Sequence, residues 1–166
     1  MHFTAASSFA WNDLASIHPD GTRVLFDCGP LPDAGEGCSI CEVGIDGAGF
    51  RTVVTGVDAP GAVTRRGPLH HAAYAPDGSV VFEADWDGER IWRKAGTSVS
   101  NVSTSVVAND NSPCVLPDGR IVSLWLDRAE NPGGSHEIKL MSALGTAPSM
   151  LLTGADVSDV GIGCGL

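Results

Sequence analysis

Short runs of apolar and β-branched residues recur along the chain, separated by Gly, Pro and Asp. The clearest stretch covers residues 70–94, where apolar and polar positions alternate on both sides of a Pro-Asp-Gly turn. Such alternation is typical of half-buried strands, because successive side chains of a strand point to opposite faces of the sheet. No run repeats apolar residues at the spacing of an amphipathic helix. The pattern therefore predicts an all-β protein.

The tripeptide Pro-Asp-Gly occurs three times between two apolar runs, at residues 19–21, 76–78 and 117–119. Pro presets φ, Asp hydrogen-bonds its own backbone, and Gly adopts the positive φ that reverses the chain. Two further strand-like runs follow each of these hairpins. We therefore predict a single domain over residues 1–166. Its three four-stranded units lie at about residues 12–56, 68–104 and 111–154, followed by an extra strand at 157–164.

The segments APDGSVVFEADWDGERIWRK and IHPDGTRVLFD…CSICEVGIDGAGFRTVVTG resemble the TolB-type β-propeller repeat. In that repeat a strand, Pro-Asp-Gly, an Ile/Val-Phe strand, a hairpin and a closing Leu-Thr follow one another. The resemblance extends from Leu14 to Thr153, although the second unit lacks a clear Leu-Thr ending. It implies that each unit is a propeller blade. It says little about function, because such blades occur in scaffolds, peptidase gates and sugar-active enzymes.

Three blades are too few to close a ring, since propellers have at least four. The open sides of the outer blades would expose apolar surface, which costs about 25 cal/mol per Å² in water. We therefore expect a homodimer in which two copies complete a six-bladed ring. The alternative is that the chain is a fragment of a longer propeller. In the dimer, the extra strand at 157–164 and residues 2–9 would supply contacts between the copies.

Acidic residues outnumber basic residues by 20 to 10, which gives a net charge of −10. This charge argues against nucleic acid as a partner, since phosphate binding needs a basic surface. A basic peptide or protein, or a cation, remains open. The N-terminus lacks a basic region and a long apolar core, and no stretch approaches the ~18 apolar residues of a membrane span. We expect no membrane partner and a cytoplasmic location, or a periplasmic one if a leader is missing.

The sequence contains five cysteines, and an odd number without a signal peptide favours reduced structural thiols. One alternative is a disulfide between Cys28 and Cys38 across a hairpin. Another is metal or redox chemistry at Cys38 and Cys41. Residues three apart on a strand point to opposite faces, so this last pair is poorly placed to share one metal ion.

In a propeller, the loops that enter the innermost strands and the loops between second and third strands share one rim of the channel. The two sets of loops carry candidate ligand-binding residues. These are His70, His71, Asn111 and Asp159 in the first set, and Asp85, Trp86, Asp87 and Asp127 in the second. Clustered carboxylates would create a negative potential over the channel mouth.

Two of these candidates carry a structural expectation. Adjacent strand residues face opposite ways, so only one of His70 and His71 would face the channel. Asp87 and Gly88 are predicted to form a two-residue turn, and Trp86 beside it is expected to be exposed to a ligand.

Two functions fit these features. The first is a non-catalytic scaffold that binds a peptide, protein or small ligand at the acidic rim or in the channel, without a cofactor. The second is a metal-dependent polysaccharide lyase or hydrolase of the propeller type, which would use channel histidines and a divalent cation. The sequence offers one of the two adjacent histidines, Asn111 and Asp159 as ligands, and no catalytic motif such as Gly-x-Ser-x-Gly. We therefore favour binding over catalysis.

Overall fold

The computed structural model describes residues 11–29, 38–63, 66–103, 109–126 and 136–157, together with positions 162 and 164. These residues form strands, turns and one short 3₁₀ turn at Gly56–Asp58, which confirms the all-β prediction. No helix in this described part of the chain has the length and apolar character that a membrane span requires.

The strands form three antiparallel sheets of four strands each, which we call blades 1, 2 and 3. Blade 1 consists of Trp11–Ile17 (β1), Arg23–Gly29 (β2), Ser39–Gly44 (β3) and Arg51–Val54 (β4). Blade 2 consists of Leu69–Tyr74 (β5), Val80–Asp85 (β6), Glu89–Ala95 (β7) and Ser98–Asn101 (β8). Blade 3 consists of Asn109–Val115 (β9), Ile121–Leu126 (β10), His136–Met141 (β11) and Ser149–Val157 (β12). Each strand pairs with the next one in the chain, as the repeat predicts.

The three Pro-Asp-Gly turns connect the first and second strands of every blade in the same way. Gly21, Gly78 and Gly119 have φ values of 72°, 80° and 85°. Each donates its N–H to the carbonyl three residues earlier, at 2.8, 2.9 and 2.8 Å. The preceding Asp of each turn accepts a backbone N–H two residues further on. The predicted turn chemistry is confirmed in all three copies.

Blade 2 packs between blades 1 and 3 because its strands are apolar on both faces. Phe82 of β6 belongs to a buried cluster with Leu25 of blade 1. Val81, the residue before Phe82 on β6, points to the opposite face of the sheet and belongs to a buried cluster with Ile121 and Met141 of blade 3. Alternation along a single strand therefore supplies both inter-blade interfaces.

The outer blades also carry apolar side chains on the faces turned away from blade 2. On β2, Val24 and Phe26 alternate with Leu25 and pack in a separate buried cluster with Val43. On β10, Leu124 lies on the opposite face from Ile121, by the same alternation. The faces of both outer blades that turn away from blade 2 are therefore apolar as well, and these side chains are buried.

The cysteine prediction was wrong. Disulfides join Cys28 to Cys41 and Cys114 to Cys164, whereas Cys38 is a buried free thiol. In the β2–β3 ladder Cys28 lies opposite Ser39, and Cys41 lies two residues further along the same face. The Cα atoms of Cys28 and Cys41 are 5.9 Å apart, which is within disulfide range. Cys38 adjoins Ser39 and therefore points to the opposite face, so it does not pair with Cys28.

The predicted extra strand at 157–164 lies largely outside the described residues, as do residues 2–9. Val157 is the last residue of β12 instead of the first residue of a new strand. Ile162 and Cys164 are described, and neither belongs to a strand. The disulfide to Cys114 nevertheless holds Cys164 beside β9, the innermost strand of blade 3.

Candidate functional site

The innermost strand of each blade contains an irregularity at the same position. Leu14, His71 and Ser112 have φ values of 53°, 52° and 48°, in the left-handed region that non-glycine residues rarely adopt. The pairing register between the innermost and second strands shifts around each of these residues. Such bulges redirect the backbone and are often found at functional sites. At His71 and Ser112 the redirected N–H groups point to the neighbouring blade.

Two carboxylates receive these N–H groups from the neighbouring blade. Asp27 on β2 accepts the N–H of His71 at 3.1 Å, and Glu83 on β6 accepts the N–H of Ser112 at 2.9 Å. The two acids occupy equivalent positions in blades 1 and 2, where blade 3 has Leu124. Asp27 is fully buried and Glu83 is 8% exposed. A hydrogen bond from a backbone N–H to a buried carboxylate of the preceding blade therefore joins blade 1 to blade 2 and blade 2 to blade 3.

Both predicted histidines contact these carboxylates. His70 Nδ1 lies 3.4 Å from Asp27 Oδ2, and His71 Nδ1 lies 3.0 Å from Glu83 Oε2. The two rings are 6.2 Å apart. An ionised carboxylate only accepts hydrogen bonds, so this contact is a hydrogen bond when Nδ1 of His71 carries the hydrogen. Glu83 thus holds the orientation of the His71 ring.

Burial shifts the pKa values of two groups in this region, Asp27 and Cys38. It raises the pKa of Asp27, and the hydrogen bond and charge of His70 oppose that rise. Within the described structure, Oδ1 of Asp27 has no hydrogen-bond partner. Burial also raises the pKa of the Cys38 thiol, and the negative charge of Asp27 adds to this effect. Cys38 is therefore held as a thiol, which is a poor nucleophile.

A cavity of about 540 Å³ lies among the innermost strands of the three blades. Its size falls within the range of small-molecule sites. The walls are mostly aliphatic, and His71 places an imidazole among them. The lining of the cavity includes Leu14, Ile17, His71, Tyr74, Val115 and Cys164.

Tyr74 forms the wall of this cavity near the Pro-Asp-Gly turns. Its hydroxyl donates a hydrogen bond to Glu42, which also forms ion pairs with Arg23 and Arg51. Burial raises the pKa of Tyr74, and the hydrogen bond to Glu42 raises it further. The hydroxyl therefore stays protonated and engaged with Glu42, so at this end the cavity is bounded by an aromatic ring.

The two predicted sets of loops do lie side by side on blade 2. The N–H of Asp85 donates to the carbonyl of Pro68 at 3.1 Å, and its carbonyl accepts the N–H of Gly67 at 2.8 Å. Asp85 is half-buried and Asp87 is exposed. Asn111 is buried on β9, directly before Ser112. Two other predicted site residues, Asp127 and Asp159, lie outside the described residues.

Trp86 is buried, so the prediction that it is exposed was wrong. Only 1% of its surface is accessible, and its ring packs against Phe82 and Trp92 with centroids 5.6 and 5.1 Å away. The connection between β6 and β7 contains three residues, Trp86 to Gly88, and not two. Trp86 therefore begins the turn and packs inward, while Asp87 lies at the exposed tip.

Sequence reasoning missed Asp27 and Glu83. A signal was present, because each acid interrupts an otherwise apolar second strand, in Val-Leu-Phe-Asp-Cys and Val-Val-Phe-Glu-Ala. Carboxylates are rarely buried without a specific partner. The same signal does not identify a metal site. Among the residues that the structure describes, no three His, Cys, Asp or Glu side chains are grouped to hold a metal ion.

No family model matches this chain, and no curated protein matches it either. Several solved structures are similar. A puromycin hydrolase is 14% identical over 95% of this chain and 24% of its own length, with a TM-score of 0.65. Hydrazine synthase from Kuenenia stuttgartiensis is 14% identical over 92% of this chain and 27% of its own, with a TM-score of 0.67. A prolyl endopeptidase is 13% identical over 85% of this chain and 19% of its own length, with a TM-score of 0.57.

At these identities the likeness establishes the fold alone, which is that of β-propeller blades. The chain spans about a quarter of the length of the first two structures. The more specific resemblance to TolB stays a prediction.

Proposed function

We propose that this chain is a non-catalytic binding component of a propeller ring, and that it takes a basic side chain of a peptide in the channel cavity. One observation carries the proposal. The imidazole of His71 lines the mainly aliphatic cavity, and Oε2 of Glu83 lies 3.0 Å from its Nδ1. The net charge of −10 favours the approach of a cationic ligand.

The chemistry of the nearby nucleophile candidates supports binding over catalysis. Covalent catalysis needs a hydroxyl or thiol that a base activates. In the described part of the chain, the Ser112 hydroxyl is buried and has no hydrogen-bond partner. The Cys38 thiol has a raised pKa, and Cys114 is in a disulfide. None of these three groups is an activated nucleophile.

A peptide pair tests this function. We expect a Gly-Lys-Gly peptide to bind more tightly than Gly-Gln-Gly in titration calorimetry. His71→Ala should abolish this preference. Arg120→Gln serves as the matched control, since Arg120 pairs with Asp118 in an exposed turn away from the cavity. Equal binding of the two peptides, or a preference that survives in His71→Ala, would overturn the proposal.

A second candidate is that these blades are the propeller part of a hydrolase. It is favoured by the likeness to a puromycin hydrolase and a prolyl endopeptidase, although the chain spans only part of each. In the version predicted from sequence, a divalent cation would bind in the channel. Removal of metal with EDTA should then lower the melting temperature, and Mn²⁺ should restore it. An unchanged melting temperature would leave the cation without support.

We propose further that a second copy of the chain supplies the missing blades. The outer faces of blades 1 and 3 repeat the apolar pattern of the inter-blade faces, and Met150, Leu151 and Leu152 of β12 are exposed. A two-fold axis would let each copy cover the other and give six blades. We expect light scattering to report twice 17.1 kDa. A stable monomer at every concentration would exclude this assembly.

A further inference from the structure

The two disulfides of this protein lie in different surroundings. Cys28 and Cys41 are fully buried and belong to β2 and β3, which the hydrogen bonds of their ladder hold together without the disulfide. Cys114 lies on β9, but Cys164 belongs to no strand. The Cys114–Cys164 disulfide therefore joins a strand to a residue outside the sheets, which gives the two disulfides different structural roles.

The Cys114–Cys164 disulfide lies in the wall of the channel cavity. Both cysteines line this cavity of about 540 Å³, and so does Ile162. Cys114 is buried, whereas Ile162 and Cys164 are half-buried and keep part of their surface exposed. A small reductant can therefore reach this disulfide from the side of Cys164, and the fully buried disulfide of blade 1 offers no such access.

Hydrogen bonds do not fix Ile162 and Cys164 beside β9. Within the described structure neither residue forms a hydrogen bond, so the disulfide is the bond that attaches them to blade 3. Cys164 lies seven residues beyond Val157, the end of β12, and a chain of that length extends about 25 Å. Cleavage of the S–S bond would therefore let both residues move out of the cavity wall.

We propose that the Cys114–Cys164 disulfide is a redox-sensitive latch on the channel cavity. When it is reduced, Ile162 and Cys164 leave the wall and the cavity gains the space that they occupied. When it is oxidised, both residues are held in place and narrow the cavity. The latch acts on the cavity itself, whichever ligand the cavity takes, so it does not depend on the function proposed above.

A dithiol supplies the two electrons for this step. One of its thiolates attacks Sγ of Cys164, which forms a mixed disulfide and releases the thiolate of Cys114. The second thiolate of the reductant then attacks the reductant's own sulfur in the mixed disulfide and releases the thiolate of Cys164. The reductant leaves as a disulfide, and the protons of its two thiols end on Cys114 and Cys164.

Thiol trapping tests whether the latch is selectively reducible. The native protein is treated with increasing concentrations of dithiothreitol, alkylated with iodoacetamide and mapped by mass spectrometry. We expect alkylation of Cys114 and Cys164 first. Cys28 and Cys41 are the internal control and should need about tenfold more reductant, because both are fully buried. Alkylation of all four cysteines at one concentration, or of the control pair first, would overturn the proposal.

A neutral apolar dye, N-phenyl-1-naphthylamine, reports on the cavity. We expect the selectively reduced protein to bind the dye about tenfold more tightly than the oxidised protein, because the Ile162 side chain no longer occupies part of the aliphatic cavity. Cys164→Ser should bind the dye as the reduced protein does, with or without dithiothreitol. The Cys28→Ser/Cys41→Ser double variant is the matched control and should keep the response to reductant.

Circular dichroism separates opening of the latch from loss of the fold. If Cys164→Ser does not fold, the selectively reduced and alkylated wild type takes its place. Equal dye affinity in the oxidised and reduced proteins would overturn the proposal, and so would a folded Cys164→Ser variant that still responds to dithiothreitol. Unfolding of the selectively reduced wild type would overturn it as well, since the disulfide would then hold the whole fold together.

Discussion

Replacement of Glu83 by Ala is the sharpest test of the inter-blade contacts. The carboxylate accepts hydrogen bonds from the Ser112 N–H at 2.9 Å and from His71 Nδ1 at 3.0 Å, at a site that is 8% exposed. A hydrogen bond to a charged group contributes about 1.5–3 kcal/mol, so the two together contribute about 3–6 kcal/mol. Removal of the buried carboxylate offsets part of this loss of stability, since burying a carboxylate is unfavourable.

We therefore expect Glu83→Ala to lower the free energy of unfolding by about 3 kcal/mol, since the Ser112 N–H is left buried without an acceptor. For a chain of this size that corresponds to a fall of roughly 6–12 °C in the melting temperature. Glu83→Gln keeps one carbonyl oxygen as acceptor and should lower the free energy of unfolding by about half as much. Urea unfolding followed by tryptophan fluorescence measures both.

A local readout separates this mechanism from general damage. Amide hydrogen exchange at Ser112 should be faster in Glu83→Ala than in the wild type, because this N–H loses its acceptor. Arg120→Gln is the control, since Arg120 lies in an exposed turn and loss of its ion pair with Asp118 should hardly change the unfolding midpoint. The mechanism is refuted if Glu83→Ala unfolds at the same urea concentration as Arg120→Gln, or if exchange at Ser112 is unaffected.

Three further variants test the rest of the structure. Burial raises the pKa of Asp27, so the contribution of this carboxyl group to stability should fall as the pH rises from the ordinary pKa of 3.8 through the folded-state pKa. Asp27→Asn should abolish this pH-dependent contribution. A difference in unfolding free energy between wild type and variant that stays constant with pH would contradict it. The Cys28→Ser/Cys41→Ser double variant should lose about 2–4 kcal/mol under oxidising conditions and little when both proteins are reduced. Trp86→Ala should cost about 3–5 kcal/mol because the ring is buried, whereas an unchanged urea midpoint would mean that it is exposed.

Local chemistry in the sequence determined the strands and the turns. Pro-Asp-Gly has the φ preferences and the hydrogen-bonding side chain of one tight turn, and all three copies adopt it. Alternating apolar runs on either side predicted half-buried strands, and the three sheets contain the four strands each that the repeat predicts. These features depend on residues close in the chain, so the sequence contains the information that specifies them.

The tertiary structure decided the contacts that make the candidate site. The His71 N–H meets Asp27 across 44 positions of sequence, and it does so only because a bulge redirects the backbone towards blade 1. A shift of one residue in strand register would have exchanged the roles of Cys38 and Cys41, since neighbouring residues face opposite sides of a sheet. Likewise, one extra residue in the β6–β7 turn buries Trp86. Register, bulges and the placement of one blade against the next arise from packing over the whole chain, which no short stretch of sequence specifies.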